Sequence, residues 1–484
     1  MSTVYETVIG LEIHCELNTK TKVFCGCSTE FGGEPNSHTC PVCTAMPGTL
    51  PVLNREAVEK CVTAGLALGC EINRHASMDR KNYFYPDLPK AYQISQLYQP
   101  LCKGGLVRFA YTDEQGNARE GAVRINRIHL EEDAGKSLHD AYGRSTLLDF
   151  NRCGVPLIEI VTEPDIRSAE EAGAFVDTVR AILQFASVSE CQMQKGNLRA
   201  DINLSIRPVG GPLGTRTEMK NLNSLKAIVR AAKSEAARQI ELLGEGRRVV
   251  QETRRWDDNK GRSIAMRSKE EANDYRYFPD PDLLPIVLDD EWMSRLSAAL
   301  PELPEAKRAR YVRDYGLPEY DAAILTTDPA MARFFEEAAA GAASAKAVSN
   351  LLMGDILRRV KEDESTTFAA LPFTPAQLAQ LVNLLEGGTI NSTTGKAVLE
   401  RMFSDEGDPK AIVEKHGLAK VSDTGALAEA ARRVIAANAD AVRDHRAGKD
   451  KVFGFLMGQM MKETRGKADP ETAKRVLLEE IGKD

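Results

Sequence analysis

VIGLEIHCEL, residues 8–17, alternates without a break. Ile9, Leu11, Ile13, Cys15 and Leu17 fall on one side; Glu12, His14 and Glu16 fall on the other. Successive side chains of an extended chain point to opposite faces, so the stretch predicts a strand with one apolar and one polar face. NLRADINLSIRP, residues 197–208, repeats the pattern, with Leu198, Ala200, Ile202, Leu204 and Ile206 opposite Arg199, Asp201, Asn203, Ser205 and Arg207. Either polar face alone suits an ordinary half-exposed strand. Outward from these two segments, β-like alternation extends to about residue 293, interrupted by helices predicted over 54–69, 168–186 and 222–243. Beyond DEWMSRL the texture becomes alanine-rich and helical. There Val348, Leu351, Leu352, Asp355, Ile356 and Leu357 form a mostly apolar stripe at helical spacing, which reads as core rather than as a cofactor box. A polar Gly/Pro segment, SDEGDPK at 404–410, marks a second boundary. Asp469-Pro470 starts a further helix, with Pro at the first helical position. The expected fold is α+β: a β-rich domain over 1–293, a helical domain over 294–405 and a small helical tail domain over 406–484.

The 484 residues carry a net charge of −7. That excludes a surface coated in basic groups, but a local basic patch for nucleic acid is still allowed. No apolar run reaches the roughly 18 residues needed to span a bilayer, so no membrane partner is expected. MSTVYETVIG lacks the basic-then-apolar layout of a secretory leader. The expected location is cytoplasmic.

All ten cysteines lie between Cys15 and Cys191. Four of them, Cys25, Cys27, Cys40 and Cys43, form C-x-C and C-x-x-C pairs twelve residues apart. Two such pairs on tight turns converge tetrahedrally on zinc, and Gly32, Gly33, Pro35, Asn36 and Ser37 supply turn chemistry between them. His38 is a possible substitute ligand. A redox reading of Cys40-Pro-Val-Cys43 needs a thioredoxin-like βαβ context, which is missing here. The spacing therefore predicts structural Zn²⁺. Four thiolates leave no open position for a substrate, so the chemistry must lie elsewhere.

Glu12 and His14 sit roughly 6.6 Å apart along one strand face, within reach of one ion or its waters. His129, Glu131 and Asp133 repeat the arrangement if that segment is extended, with Glu132 between them. Glu159 places an acid inside the apolar run VPLIEIVTEP, where a charge needs a partner. Singly, each is better explained as a solvated face or a salt bridge. Several such segments in one domain weaken that explanation and point to a Mg²⁺ site of the kind that holds nucleotide phosphates. No Walker A loop is present: in LEEDAGKS, residues 130–137, Leu130 stands where the first glycine belongs. DRKNYFYPDLPKAYQISQ, residues 79–96, interleaves Arg80 and Lys81 with Tyr83, Phe84, Tyr85 and Tyr92. It suits stacking on a base or sugar, and equally a loop packed on a sheet. DYRYFPDPDLLP, residues 274–285, reads both ways too. In the tail, Arg443, Arg446, Lys449, Lys451, Lys462, Arg465 and Lys467 outnumber Asp444, Asp450 and Glu463. Such a patch can hold a phosphate backbone, and a solvated helix pair is an equal reading on charge alone.

Together these stretches resemble the B subunits of the bacterial aspartyl/glutamyl-tRNA(Asn/Gln) amidotransferases. The resemblance rests on VIGLEIHCEL, CPVCTAMPGTLPVLN, DRKNYFYPDLPKAYQISQ, HLEEDAGKS, DFNRCGVPLIEIVTEPDIRS, EMKNLNS, QETRRW, DYRYFPDPDLLP and GKDKVFGFLMGQMMKETRGKADP. It implies a β-rich cradle domain, a helical domain and a tRNA-binding tail. It also implies a heterotrimer with an amidase-type A subunit and a small C subunit. The implied activity is that of a ligase forming a C–N bond with glutamine as amide donor. The side chain of Glu-tRNA(Gln) or Asp-tRNA(Asn) is phosphorylated with ATP and Mg²⁺, and ammonia from the A subunit displaces phosphate. By the same resemblance Glu12, His14 and an acid of Glu131-Glu132-Asp133 bind Mg²⁺ with Glu159 nearby, and Lys81 and Tyr83 sit near the ammonia exit. Where relatives often have Arg-Cys-Asp, this chain has Arg199-Ala200-Asp201, which keeps the charged pair. No Gly-Gly pair is followed by Ser-Ser, as an amidase-type glutaminase requires. Two rivals are a non-catalytic zinc-containing tRNA-binding protein and a metal-dependent hydrolase, neither of which predicts ATP-dependent chemistry.

Overall fold

A computed structural model describes residues 4–139, 143, 145–268, 275–363, 366–404, 407–419, 424–449, 451–464 and 468–483. The chain divides into two units, Met1–Pro304 and Glu305–Asp484.

The first unit is built on one sheet of ten described strands. In chain order these are β1 (Tyr5–Glu16), β2 (Glu71–Ile72), β3 (Cys102–Lys103), β4 (Leu106–Thr112), β5 (Ala118–Glu132), β6 (Pro156–Thr162), β7 (Leu198–Pro208), β8 (Thr217–Lys220), β9 (Glu252–Asp257) and β10 (Arg262–Ser268). Across the sheet they run β10-β9-β8-β7-β1-β6-β5-β3-β2, with β4 paired to β5. Every pairing is antiparallel except β8 with β9. The alternation read from β1 and β7 is realised. Ile9, Leu11, Ile13, Cys15 and Leu17 are buried, as are Leu198, Ala200, Ile202, Leu204 and Ile206.

Helices α1 (Arg55–Ala67), α2 (Ala169–Phe185) and α3 (Leu225–Gly244) supply the other half of that core. Each starts at a polar cap: Asn54, Ser168 and Ser224 accept from the backbone N–H of Glu56, Glu171 and Ala227. Phe175, Val176, Val179 and Leu183 of α2 and Ile228 and Ala231 of α3 join the apolar residues of the sheet. Helix α4 (Asp290–Ala299) adds Met293 and Leu296 to this core, so the first unit runs on past residue 293. The cysteine-rich stretch is an insertion between β1 and α1. Residues Asp79–Asn82 pair with Tyr92–Ser95 and with Phe278–Pro279 in a separate small sheet.

The second unit is helical throughout its described elements. Its buried apolar side chains form two clusters, one from Tyr311 to Val413 and one from Leu427 to Ile481. The boundary residues 405 and 406 lie outside the described residues. Ile412 and Val413 still belong to the first cluster. Pro470–Gly482 is a helix with Asp469 accepting from Thr472 N–H at 3.0 Å, as Asp469-Pro470 foretold. Among the described residues no helix is long and apolar enough to cross a membrane.

Candidate active site and metal clasp

The helices cover one face of the sheet, and the other carries charge. Register aligns Arg199 of β7, His14 of β1, Glu159 of β6 and His129 of β5 as neighbours across four strands. One pair along, Asp201 faces Glu12; on the other side Glu16 and Glu131 both face Leu157. Alternation puts all these side chains on one face, and strand order brings segments 187 residues apart in sequence (Glu12 to Arg199) together. His14 Nε2 lies 3.5 Å from Glu159 Oε2 and 4.0 Å from Glu131 Oε1. His129 Nε2 lies 3.5 Å from Glu131 and 3.6 Å from Glu159. Ser95 Oγ donates to Glu131 at 3.1 Å.

Three sets of donors each lie within 4.8 Å of one another: Glu12, His14 and Glu159; His129, Glu131 and Glu159; and Glu12, Asp201 and Glu218. Glu159, at 6 % exposure, is shared by the first two. Burial and the adjacent Glu159 push the Glu12 carboxyl up to about 7. Burial pulls His14 down, but the hydrogen bond and charge of Glu159 outweigh it and raise the imidazole to about 9. Crowded carboxylates with imidazole make a donor set that suits a hard divalent cation such as Mg²⁺, which would relieve that like-charge repulsion. The residues present fit the ion.

Of the Glu131-Glu132-Asp133 run, Glu131 alone joins the cluster. Glu132 points to the opposite face of β5, where Lys90 Nζ reaches it at 2.7 Å and Ile94 N–H donates to it at 2.9 Å. Asp133 follows the end of the strand and is neutralised by Arg199 at 2.6 Å and Arg152 at 3.6 Å. Gly135 turns the chain into a short strand, Lys136–His139, so the near-match to a phosphate loop opens no helix.

Lys81, from the small sheet, enters the same cleft of about 980 Å³. Its Nζ sits 5.8 Å from the Tyr83 ring centre and 5.1 Å from that of Tyr275. Burial works against its charge, but Glu131, Tyr277 and Glu159 hold its pKa above the ordinary lysine range. Tyr83, Tyr275 and Tyr277 meet edge to face at 6.0 and 6.1 Å. Sequence reading missed Tyr275 and Tyr277 as site residues, although DYRYFPDPDLLP had stood out. It also missed Asp201, Glu218 and Lys220. Asp201 was legible from the alternation of β7; Glu218 and Lys220 sit on a four-residue strand too short to betray its polar face. Lys220 Nζ bonds Asp201 and lies 3.0 Å from Glu218.

Cys25, Cys27, Cys40 and Cys43 bring their sulfurs within 4.8 Å of one another, and none forms a disulfide. The Cys40–Cys43 Sγ separation is 3.9 Å, close to the edge of about 3.8 Å that a tetrahedron with Zn–S bonds of about 2.3 Å requires. Asn36, at φ +61°, turns the loop, and its side chain bridges the carbonyl of Leu148 and the N–H of Phe150. A hydrogen bond from Cys25 holds the Cys43 thiol well below the ordinary range, as a ligand thiolate needs. The four sulfurs fit Zn²⁺.

In the tail, Lys451 and Lys462 lie on the helix Lys451–Glu463. Arg443 pairs with Asp440, and Lys449 with Asp444 at 3.0 Å. Arg446 donates to the Ile481 carbonyl at 2.6 Å, so it caps the last helix. Arg465 and Lys467 lie outside the described residues.

Comparison with known proteins agrees with this architecture. Residues 7–294 match the family model "GatB/GatE catalytic domain", and residues 333–481 match "GatB domain". The chain belongs to the GatB family. It is 55 % identical over 482 residues to the B subunit of the aspartyl/glutamyl-tRNA(Asn/Gln) amidotransferase of Caldicellulosiruptor bescii, covering 99 % of both chains. The protein of the same name from Lachnoclostridium phytofermentans is 53 % identical over 481 residues, again with 99 % of both covered. The GatB catalytic match coincides with the sheet and its polar face, and the second match lies within the helical unit.

Proposed function

We propose that this GatB-family chain carries the carboxylate-activating and amide-forming site of a tRNA-dependent amidotransferase, a C–N ligase. It converts Glu-tRNA(Gln), Asp-tRNA(Asn) or both to the amide. The observation that carries the reading is the cluster of half-buried His14 with buried His129, Glu131 and Glu159, in the cleft that Lys81 enters. A carboxylate is a poor acyl donor, and phosphorylation by ATP gives it a leaving group. Glu12, His14, Glu131 and Glu159 would hold Mg²⁺, which when bound would offset the charge of the substrate carboxylate and the ATP phosphates. The chain's own contribution is preorganisation. His14 and His129 fix the Glu159 carboxylate from both sides, and Ser95 orients Glu131. Lys81 stays charged in the cleft and binds anionic oxygen. Tyr83, Tyr275 and Tyr277 exclude water there, which favours attack by ammonia over hydrolysis.

Ammonia comes from a glutaminase A subunit, with a small C subunit completing the assembly, since the chain lacks the Gly-Gly-Ser-Ser run. Zn²⁺ bound by Cys25, Cys27, Cys40 and Cys43 serves as a structural clasp. Arg443, Lys449, Lys451, Lys462, Arg465 and Lys467 offer the tRNA backbone a sequence-independent grip. Arg446 is the weaker candidate because its guanidinium is spent on Ile481. Work on aminoacyl-tRNA implies a cytoplasmic location. A purely tRNA-binding role leaves the buried carboxylate cluster without a purpose.

The test is amide formation from Glu-tRNA(Gln) and Asp-tRNA(Asn) with ATP, Mg²⁺ and ammonium chloride, with and without the partner subunits. Amide that appears with the wild-type chain and disappears with Glu12→Gln supports the reading. No amide from either tRNA with all partners present rejects it in favour of the tRNA-binding role.

A further inference from the structure

Lys22 is fully buried. Buried lysines are almost always paired, yet no carboxylate of a described residue makes an ion pair with this one. Its Nζ contacts Cys43 Sγ at 3.5 Å and the Phe150 carbonyl at 3.2 Å. With no carboxylate beside it, a core ammonium needs another counter-charge, and of its two contacts only the Cys43 sulfur can carry one, as a thiolate. The surroundings are nonetheless built around it. Gly154, at φ +81°, lies against the lysine stem, where Lys22 Cδ is 3.6 Å from the position a Cβ would take. Val23 N–H donates to the Gly154 carbonyl at 2.9 Å, and Cys153 Sγ donates to the Cys43 carbonyl at 3.4 Å. A tetrathiolate zinc centre is doubly negative, so the missing counter-charge is the loaded clasp itself.

We infer that Lys22 is a positioning residue of the clasp: its ammonium balances the Cys43 thiolate, and its bond to Phe150 ties the loaded clasp to the turn at residues 150–155. The inference rests on the proposal that the four cysteines hold a metal. The turn leads to the active site. Gly154 N–H donates to the Asp133 carbonyl at 2.9 Å, and Arg152 reaches the Asp133 carboxylate at 3.6 Å. Asp133 directly follows the end of β5, the strand that carries His129 and Glu131. Lys22 thus joins a site that does no chemistry to the strand that does.

The experiment uses the full-length chain and three variants, Lys22→Gln, Lys22→Met and Lys22→Arg. Zinc affinity is measured against a chromophoric chelator, and the clasp is also loaded with Co²⁺ to record its thiolate-to-metal charge-transfer band. Lys22→Gln and Lys22→Met are expected to bind zinc about 10–100-fold more weakly. Their Co²⁺ band should move to longer wavelength, because a thiolate that has lost its cation gives up an electron more easily. Lys22→Arg should restore both. Lys22→Gln keeps a donor for Phe150 and decides the matter if Lys22→Met fails to fold. A Lys22→Gln chain with wild-type affinity and an unmoved band overturns the inference and leaves the clasp standing. Failure of Lys22→Arg to restore either property overturns the role of charge. A wild-type chain that takes up neither metal overturns the clasp and the inference together.

Discussion

Two neighbouring residues show how much one position matters. Glu131 and Glu132 are both buried acids, but they face opposite ways from β5. Glu132→Ala strands the Lys90 ammonium, and losing one partner of a buried pair costs about 3–5 kcal/mol. Denaturant melts should show that loss while divalent-cation affinity stays at the wild-type level. Glu159→Gln should do the reverse. It removes the carboxylate shared by two donor sets, so Mn²⁺ affinity and amide formation should each fall by at least about 10-fold. Titrating Mn²⁺ into the variant checks it; affinity within twofold of wild type removes Glu159 from the ion's ligands. The same site should be pH-dependent. In the metal-free chain the Glu12 carboxyl titrates near 7 and the His14 imidazole near 9. Protons on both compete with the cation, so affinity rises as pH rises through this range. Calorimetry at pH 6, 7 and 8 should find the weakest binding at pH 6; a flat profile contradicts the assignment.

At the scale of the element, β1 decides most. It is central in the sheet, paired with β7 from Tyr5 to Cys15 and with β6 from Glu12 to Glu16, and a one-residue slip would bury Glu12, His14 and Glu16 and expose the core side. Its register therefore sets both the core and the site. The helices behind the sheet depend on local chemistry instead. Ser168 Oγ accepts from Glu171 N–H at 3.1 Å, while the Glu171 carboxylate accepts from Arg167 N–H at 2.7 Å, a reciprocal arrangement at the start of α2. Ser168→Ala should cost about 1 kcal/mol, seen as a lower melting temperature with amide formation preserved, since α2 packs on the face away from the cluster.

For the whole molecule, the clasp and the helical unit make independent demands. The described helices of residues 305–484 have their own two apolar clusters and no share in the four cysteines. Stripping the metal with a chelator should therefore lower the melting of the β-rich unit and leave helical melting unchanged. Scanning calorimetry with and without chelator separates the two. A uniform shift of the entire profile contradicts the separation.

What was readable from sequence alone follows from what is local. Alternation named β1 and β7, the texture between strands named α1, α2 and α3, and paired cysteines named the four-sulfur cluster. Each of these signals lives within about twenty consecutive residues. The roles of Glu132 and Asp133 were not readable, because which way a side chain faces at the end of a strand depends on where the strand stops. Nor was the central place of Glu159, which needs His14 and His129 from two neighbouring strands to make an acid tolerable inside an apolar run. Composition, periodicity and cysteine spacing determined the fold class and the two sets of candidate metal ligands. Only the tertiary structure decided which carboxylates meet, because strand order joins residues that no sequence window contains.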